Sequence, residues 1–136
     1  MSIQLMISEH PDVGTDYNPS LGEAVHKAVE CAAICNSCAD ACVAEPMDMH
    51  QCVRTCMDCA DVCEVTARIV MRRTGVNREL IRAQLAVCVR ACETCAEECE
   101  NHGNAHCRRC AQMCRETTEA ARVALEALNA EVHAEA

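Results

Sequence analysis

The sequence predicts an all-α protein, folded as an antiparallel up-down-up-down four-helix bundle with a cysteine-lined core. Three observations predict it: 15 cysteines among 136 residues, recurrence of cysteine at helical spacing, and helix-ending residues between the repeats. Apolar residues make up 51% of the chain, yet Trp and Phe are absent and Tyr17 is the only aromatic residue. Cysteine therefore supplies much of the volume of the predicted core.

The cysteines follow a repeated pattern. CxxxCxxCxxxC occurs three times, and a shortened fourth copy has Gly103 where its first cysteine would fall. At about 100° per residue, the four positions of one copy lie within an arc of about 60° on a helix. A strand would send them to alternating faces, so the repeats predict helices. The copies are Cys31, Cys35, Cys38 and Cys42; Cys52, Cys56, Cys59 and Cys63; Cys88, Cys92, Cys95 and Cys99; and Cys107, Cys110 and Cys114.

The segments between the copies carry the signals of helix ends. A capping box begins at Ser20, Pro46 closes the first helix, Gly75 ends the second, and Gly103 separates the last two. Short connections of this kind make neighbouring helices antiparallel. The predicted helices cover residues 20–44, 48–73, 77–101 and 104–130. We assign residues 1–17 to an irregular N-terminal extension, 18–132 to the bundle and 133–136 to a C-terminal tail.

This topology brings all 15 cysteines into the half of the bundle nearest the loops at Pro46 and Gly103. The opposite half continues the same faces with apolar side chains and is predicted to form a closed plug. The outermost layer is expected to contain Cys42, Cys52 and Cys99, and the deepest layer Cys31, Cys63, Cys88 and Cys114. The plug is expected to contain Leu21, Ala24, Ala28, Ala67, Val70, Ile81, Leu85, Ala121, Leu125 and Leu128.

A core filled with cysteine suits a soft metal ion. Leu or Ile would bury more apolar area, and cysteines four positions apart on one helix suit a bridging metal better than a disulfide. Thiolates select Cu(I), Zn(II) or iron–sulfur clusters. Buried charge is costly, and one Cu(I) per thiolate leaves a neutral core, whereas zinc with four thiolates leaves a negative one. Multiple Cu(I) ions per chain are therefore predicted, and zinc storage is a less favoured alternative.

The three complete copies, together with Cys107, Cys110 and Cys114, resemble the four-helix-bundle copper storage proteins of the cytosolic type. The resemblance covers roughly residues 20–130. It implies a bundle that is folded before metal binds, loads many Cu(I) ions through all 15 cysteines, and associates into a homotetramer. Gly103 departs from the pattern, since it stands in place of a further cysteine.

Four other residues near the predicted open end are candidates for copper access. Asp48 and Met49 precede the second copy by four and three positions, and both are expected to face inward. His102 follows the third copy by three positions, and His106 immediately precedes the fourth copy. Met and His are plausible transient ligands of Cu(I). The alternatives are helix capping by Asp48 and core packing by Met49.

The remaining features narrow the class of protein. A net charge of −9 without a basic cluster argues against nucleic acid, and the lack of a long apolar stretch argues against a membrane span. The N-terminus lacks the features of a signal peptide, so a cytoplasmic location with reduced thiols is expected. No catalytic motif is recognisable, which favours storage and detoxification over an enzyme. A thiol redox protein and a Cu(I) chaperone are the alternatives, and no donor or acceptor protein is indicated.

Overall fold

The computed structural model describes residues 2–135, and within them it contains α-helices, one short 3₁₀ helix and no strand. The all-α class is therefore confirmed. Met1 and Ala136, which belong to the two predicted terminal segments, lie outside the described residues. The elements are α1 (Ser2–Ser8), the 3₁₀ helix (Gly14–Asp16), α2 (Pro19–Ala44), α3 (His50–Val70), α4 (Arg78–Glu100) and α5 (Ala105–Glu135).

Helix α2 begins one residue earlier than predicted and has a different cap. The Asn18 side-chain oxygen accepts the N–H of Ser20 at 3.0 Å, so Asn18 caps the helix instead of Ser20. Pro19 occupies the first helical position, where its missing N–H has no cost. The helix ends at Ala44, as predicted, because Pro46 holds the preceding Glu45 in an extended conformation with ψ of 148°.

Helices α3 and α4 are joined by a loop that depends on a glycine. Gly75 has φ of 87°, a left-handed conformation that other residues rarely adopt. The side-chain oxygen of Asn77 accepts the N–H of Thr74 at 3.2 Å and so stabilises the same loop. The break between α3 and α4 therefore has a local cause in the sequence.

Both ends of the chain differ from the prediction. Residues 2–8 form helix α1 instead of irregular chain, and α1 packs against α2. Ile7 and Val13 are each 2% exposed, and their burial supplies the stabilisation that so short a helix lacks by itself. Helix α5 continues to Glu135, past the predicted helix end and into the predicted C-terminal tail.

The long helices pack in a ring. Helices α2 and α4 each contact both α3 and α5, and together they enclose a continuous core. That core contains all 15 cysteines, and the predicted plug residues extend it. Leu125 is the exception, since it is only partly buried against the core. Within residues 2–135, no helix has the length and apolar character needed to cross a membrane.

Candidate metal centre

The cysteines all point into the core. All 15 are buried free thiols, and the most exposed of them, Cys38, is only 3% accessible. This is the consequence of the helical spacing, which places each repeat on one face of its helix. The candidate metal centre is therefore a column of sulfur atoms along the axis between the helices.

The predicted deep layer contains close contacts between helices. The Sγ atoms of Cys31, Cys35 and Cys114 form a triangle with sides of 3.7, 3.7 and 3.8 Å. The Sγ atoms of Cys63 and Cys92 lie 3.6 Å apart and join α3 to α4, within 4.8 Å of the Sγ atom of Cys31. Sulfurs from at least two helices are thus within reach of one ion at this depth.

The layer nearest the Pro46 loop also contains close sulfur contacts between helices. The Sγ atom of Cys99 lies 3.8 Å from that of Cys52 and 3.7 Å from that of Cys56. Across the core, the Sγ atoms of Cys42 and Cys107 lie 4.0 Å apart. Close sulfur contacts therefore occur at this end of the column as well as in the deep layer.

Within the described residues, five groups of four potential ligands have all their donor atoms within 4.8 Å of one another. Several cysteines belong to two groups, so ions in neighbouring groups would share sulfur atoms. Cys52 and Cys88 belong to none of these groups. The groups are Cys31, Cys59, Cys63 and Cys92; Cys31, Cys35, Cys59 and Cys114; Cys35, Cys95, Cys110 and Cys114; Cys38, Cys56, Cys99 and Cys110; and Cys38, Cys42, His106 and Cys107.

Burial favours the neutral form of thiols at the open end. Burial, together with the smaller effect of the neighbouring Cys42 thiol, raises the pKa of Cys107 to about 11. Burial likewise raises the pKa of the Cys52 thiol. These thiols are therefore protonated at neutral pH, and a metal ion that binds them must displace protons.

His106 is the predicted access residue that the structure brings against the sulfurs. Its Nδ1 atom lies 3.4 Å from the Sγ atom of Cys38 and 3.6 Å from that of Cys107. Its other ring nitrogen, Nε2, lies 2.9 Å from a carboxylate oxygen of Glu45. One nitrogen of the ring thus faces the thiols while the other faces a carboxylate.

His102 and Met49 lie at a separate opening. Together with Cys52 and Glu98, they line a surface cavity of about 260 Å³. The Nε2 atom of His102 lies 2.9 Å from a carboxylate oxygen of Glu98, and Met49 is 3% exposed. The cavity therefore links solvent to the cysteine nearest the start of α3.

Of the other residues near the predicted open end, Asp48 is placed differently from expectation. It lines the same cavity, but its side chain is 80% exposed, because its carboxylate accepts the N–H of His50 at 3.0 Å and pairs with the His50 ring. This contact satisfies a free N–H at the start of α3. Gly103 lies in the loop before α5, and a side chain there would meet no atom within 4 Å.

The cysteine repeats do not indicate the carboxylates that hold the two histidines. Glu98 precedes His102 by four positions across the end of α4, so the spacing alone could have indicated this pair. Glu45 and His106 are 61 positions apart, and no local pattern connects them.

The chain is similar to known proteins in both sequence and structure. The sequence profile of the copper storage protein family (Csp) matches residues 18–126. A comparison with curated protein sequences found no significant match. Among solved structures, the copper storage protein Ccsp from Streptomyces lividans loaded with 10 copper equivalents has a TM-score of 0.87 and 36% identity, covering 91% of this chain and 98% of that chain.

Two further structures from Streptomyces lividans are similar. One describes copper loading to a cytosolic copper storage protein with five coppers; its TM-score is 0.77 at 39% identity, covering 79% of this chain and 93% of that chain. The other is a Ccsp variant with two histidines replaced by alanine, at TM-score 0.77 and 38% identity, covering 79% and 94%. From the profile match and these similarities, the chain belongs to the copper storage protein family.

Proposed function

We propose that this chain is a cytoplasmic copper storage protein that holds many Cu(I) ions as cargo in its thiol-lined core. The observation that carries this proposal is the set of overlapping four-ligand groups, all with donor atoms within 4.8 Å. Soft thiolate ligands favour Cu(I), and shared sulfurs allow many ions in one core. The protein acts as a binder, and catalysis is not part of the proposal.

The arrangement of the helices is part of the same proposal. We describe α2 to α5 as an antiparallel up-down-up-down four-helix bundle, with α1 outside it. Support comes from pairs of sulfur contacts: Cys31 meets Cys114 while Cys42 meets Cys107, so numbering rises along α2 as it falls along α5. The contacts of Cys52 with Cys99 and of Cys63 with Cys92 relate α3 to α4 in the same way.

The spacing of the sulfurs favours shared, roughly trigonal coordination. With a metal–sulfur bond of about 2.3 Å, three sulfurs around one ion lie about 4.0 Å apart, and two opposite sulfurs about 4.6 Å apart. The triangle of Cys31, Cys35 and Cys114 has sides of 3.7 to 3.8 Å. Near-linear coordination by one pair would therefore need the sulfurs to spread, whereas trigonal coordination needs little movement.

Charge supports copper over zinc. Each Cu(I) that replaces a thiol proton leaves the core neutral, whereas zinc with four thiolates leaves uncompensated negative charge in a buried site. The core contains 15 buried cysteines, so this difference accumulates with every site filled. Zinc storage therefore remains the less favoured alternative.

We assign all 15 cysteines as ligands and His106 as a further ligand through Nδ1, beside Cys38 and Cys107. Met49 and His102 are assigned to copper access, since they line the cavity that reaches Cys52. Asp48 lines the same cavity, and its carboxylate pairs with the His50 ring at the surface.

Other functions of thiols fit less well. A disulfide-exchange protein needs an exposed, reactive cysteine, but no cysteine here is more than 3% exposed. A copper chaperone needs one accessible site for transfer, whereas these sulfurs extend deep into the core. The homotetramer implied by the resemblance is retained as a proposal, and light scattering of the purified protein tests it.

Metal selectivity is the experiment that tests the proposal. Reduced protein is incubated without oxygen in equal excesses of Cu(I) and Zn(II), and its bound metals are counted by native mass spectrometry. We expect many copper ions and little zinc. A variant with Cys31, Cys35, Cys38 and Cys42 all replaced by Ser should bind fewer copper ions. Predominant zinc occupancy of the unmodified protein would contradict the proposal.

A further inference from the structure

We propose that Glu45 is a positioning residue, which fixes the His106 ring so that Nδ1 is presented to the thiols of Cys38 and Cys107. The inference rests on the proposed function, in which His106 ligates copper. It concerns a residue that contributes no ligand atom and that touches the proposed site only through the imidazole ring.

The hydrogen bonds around the ring define its tautomer. A carboxylate oxygen only accepts, so the contact of 2.9 Å between Glu45 Oε2 and His106 Nε2 requires the proton on Nε2. A neutral imidazole has one N–H, so Nδ1 then carries a free lone pair. The Nδ1 atom lies 3.4 Å from the Sγ atom of Cys38 and 3.6 Å from that of Cys107. The ring is therefore arranged to donate to a metal ion held among these thiols.

Glu45 is itself held in place from two sides. Its backbone N–H donates to the carbonyl oxygen of Cys42 at 3.2 Å, and Pro46 keeps its backbone extended. The side-chain amide of Asn104 donates to the same Oε2 atom that accepts from His106. The Glu45 side chain is 24% exposed. The carboxylate therefore bridges the end of α2 to the start of α5 and has little freedom to leave the ring.

The other histidine of the open end provides a natural comparison. His102 also contacts a carboxylate at 2.9 Å, but Glu98 lies only four positions earlier in the chain, near the end of α4. Within the described residues, His102 belongs to none of the four-ligand groups, whereas His106 does. Removal of the Glu98 carboxylate is therefore a matched control for removal of the Glu45 carboxylate. It takes a carboxylate from a histidine at the same end of the protein and should leave His106 unaffected.

The tautomer can be measured without copper. In reduced, metal-free protein labelled with ¹⁵N in histidine, long-range ¹H–¹⁵N spectra at about pH 8 distinguish the two neutral tautomers. We expect His106 to be protonated on Nε2 in the unmodified protein and in Glu98→Ala. Glu45→Ala should give a mixture of tautomers, and Glu45→Gln, which retains an acceptor oxygen, should keep the original one. A merely structural ion pair would change the unfolding midpoint and leave the tautomer as it was.

Copper binding gives the second readout. In competition with a Cu(I) chelator, Glu45→Ala should release one outer copper ion about 10- to 100-fold more readily, with the deeper ions unaffected. Glu98→Ala should leave the affinity of that ion unchanged. The inference would be overturned if His106 kept its tautomer in both Glu45 variants. It would also be overturned if Glu45→Ala and the unmodified protein gave the same competition curve. If the unmodified protein bound only one or two ions, the proposed function would fail, and the tautomer would still decide the role of Glu45.

Discussion

The Sγ atoms of Cys31 and Cys114 lie 3.8 Å apart, although 83 positions separate the two residues in the chain. The two residues meet because α2 and α5 each place their cysteines on the face that points into the core. Cysteine thus links two helices in the deep part of the core.

The metal-free protein is expected to be folded. The plug supplies an apolar core that does not depend on copper, with Leu21 at 1% and Leu85 at 0% exposure. Zinc fingers differ, because they lack such a core and need metal to fold. Far-UV circular dichroism of the reduced apo protein should report high helicity. A coil spectrum that becomes helical only when copper is added would refute this expectation.

Truncation in the plug should cost stability without changing copper capacity. Leu85 is fully buried on α4, so Leu85→Ala should lower the free energy of unfolding by about 2–5 kcal/mol. Leu80 lies on the same helix and is 53% exposed. Leu80→Ala should therefore change the free energy of unfolding by no more than about 0.5 kcal/mol. Urea denaturation of the two apo variants measures the difference. Equal losses would show that the plug does not hold the apo fold together.

The stability of the apo protein should fall at high pH. The pKa of the Cys107 thiol is raised from 9.0 to about 11 by burial, so the folded state favours the protonated form. Below about pH 9 the Cys107 thiol is protonated in both the folded and the unfolded state, and its contribution to stability is fully present. Above about pH 9 the thiol of the unfolded state ionises first, and stability is lost as pH rises through about 11. Urea midpoints under reducing conditions test this. Cys107→Ser should have a shallower decline, and a flat profile for the unmodified protein would contradict the assignment.

The histidines at the open end should govern how fast copper enters. Replacement of both His102 and His106 by Ala should slow loading in stopped-flow experiments and leave total capacity nearly unchanged, because the deep thiols remain. The control is His26→Ala, since that side chain pairs with Glu30 on α2 and does not line the access cavity. An unchanged rate in the double variant would remove the histidines from the path. Faster loading of Leu125→Ala would show that copper passes through the plug instead.

The helices and their inward faces could be predicted because both depend on local spacing. Four cysteines at one helical spacing lie on one face whatever the rest of the chain does. The burial of Cys31 and the helix end at Ala44 follow from residues within a few positions of them. The same local logic, with short loops that favour antiparallel neighbours, predicted that Cys31 and Cys114 belong to one layer.

Features that depend on distant contacts could not be predicted in this way. Helix α1 is too short to be stable by itself, and it exists because Ile7 is buried by the rest of the protein. The contact between Glu45 and His106 joins the end of α2 to the start of α5, which are far apart in the chain. Asp48 was expected inside, but a free N–H at the start of α3 holds it at the surface.

The copper capacity of the reduced protein tests the central claim most directly. Anaerobic titration with Cu(I) against a competing chelator should saturate on the order of one Cu(I) per thiolate, because that ratio neutralises the core. The chain has 15 cysteines, all of them buried, so the expected capacity is far above that of a single site. Saturation at one or two ions per chain would contradict storage and favour a chaperone.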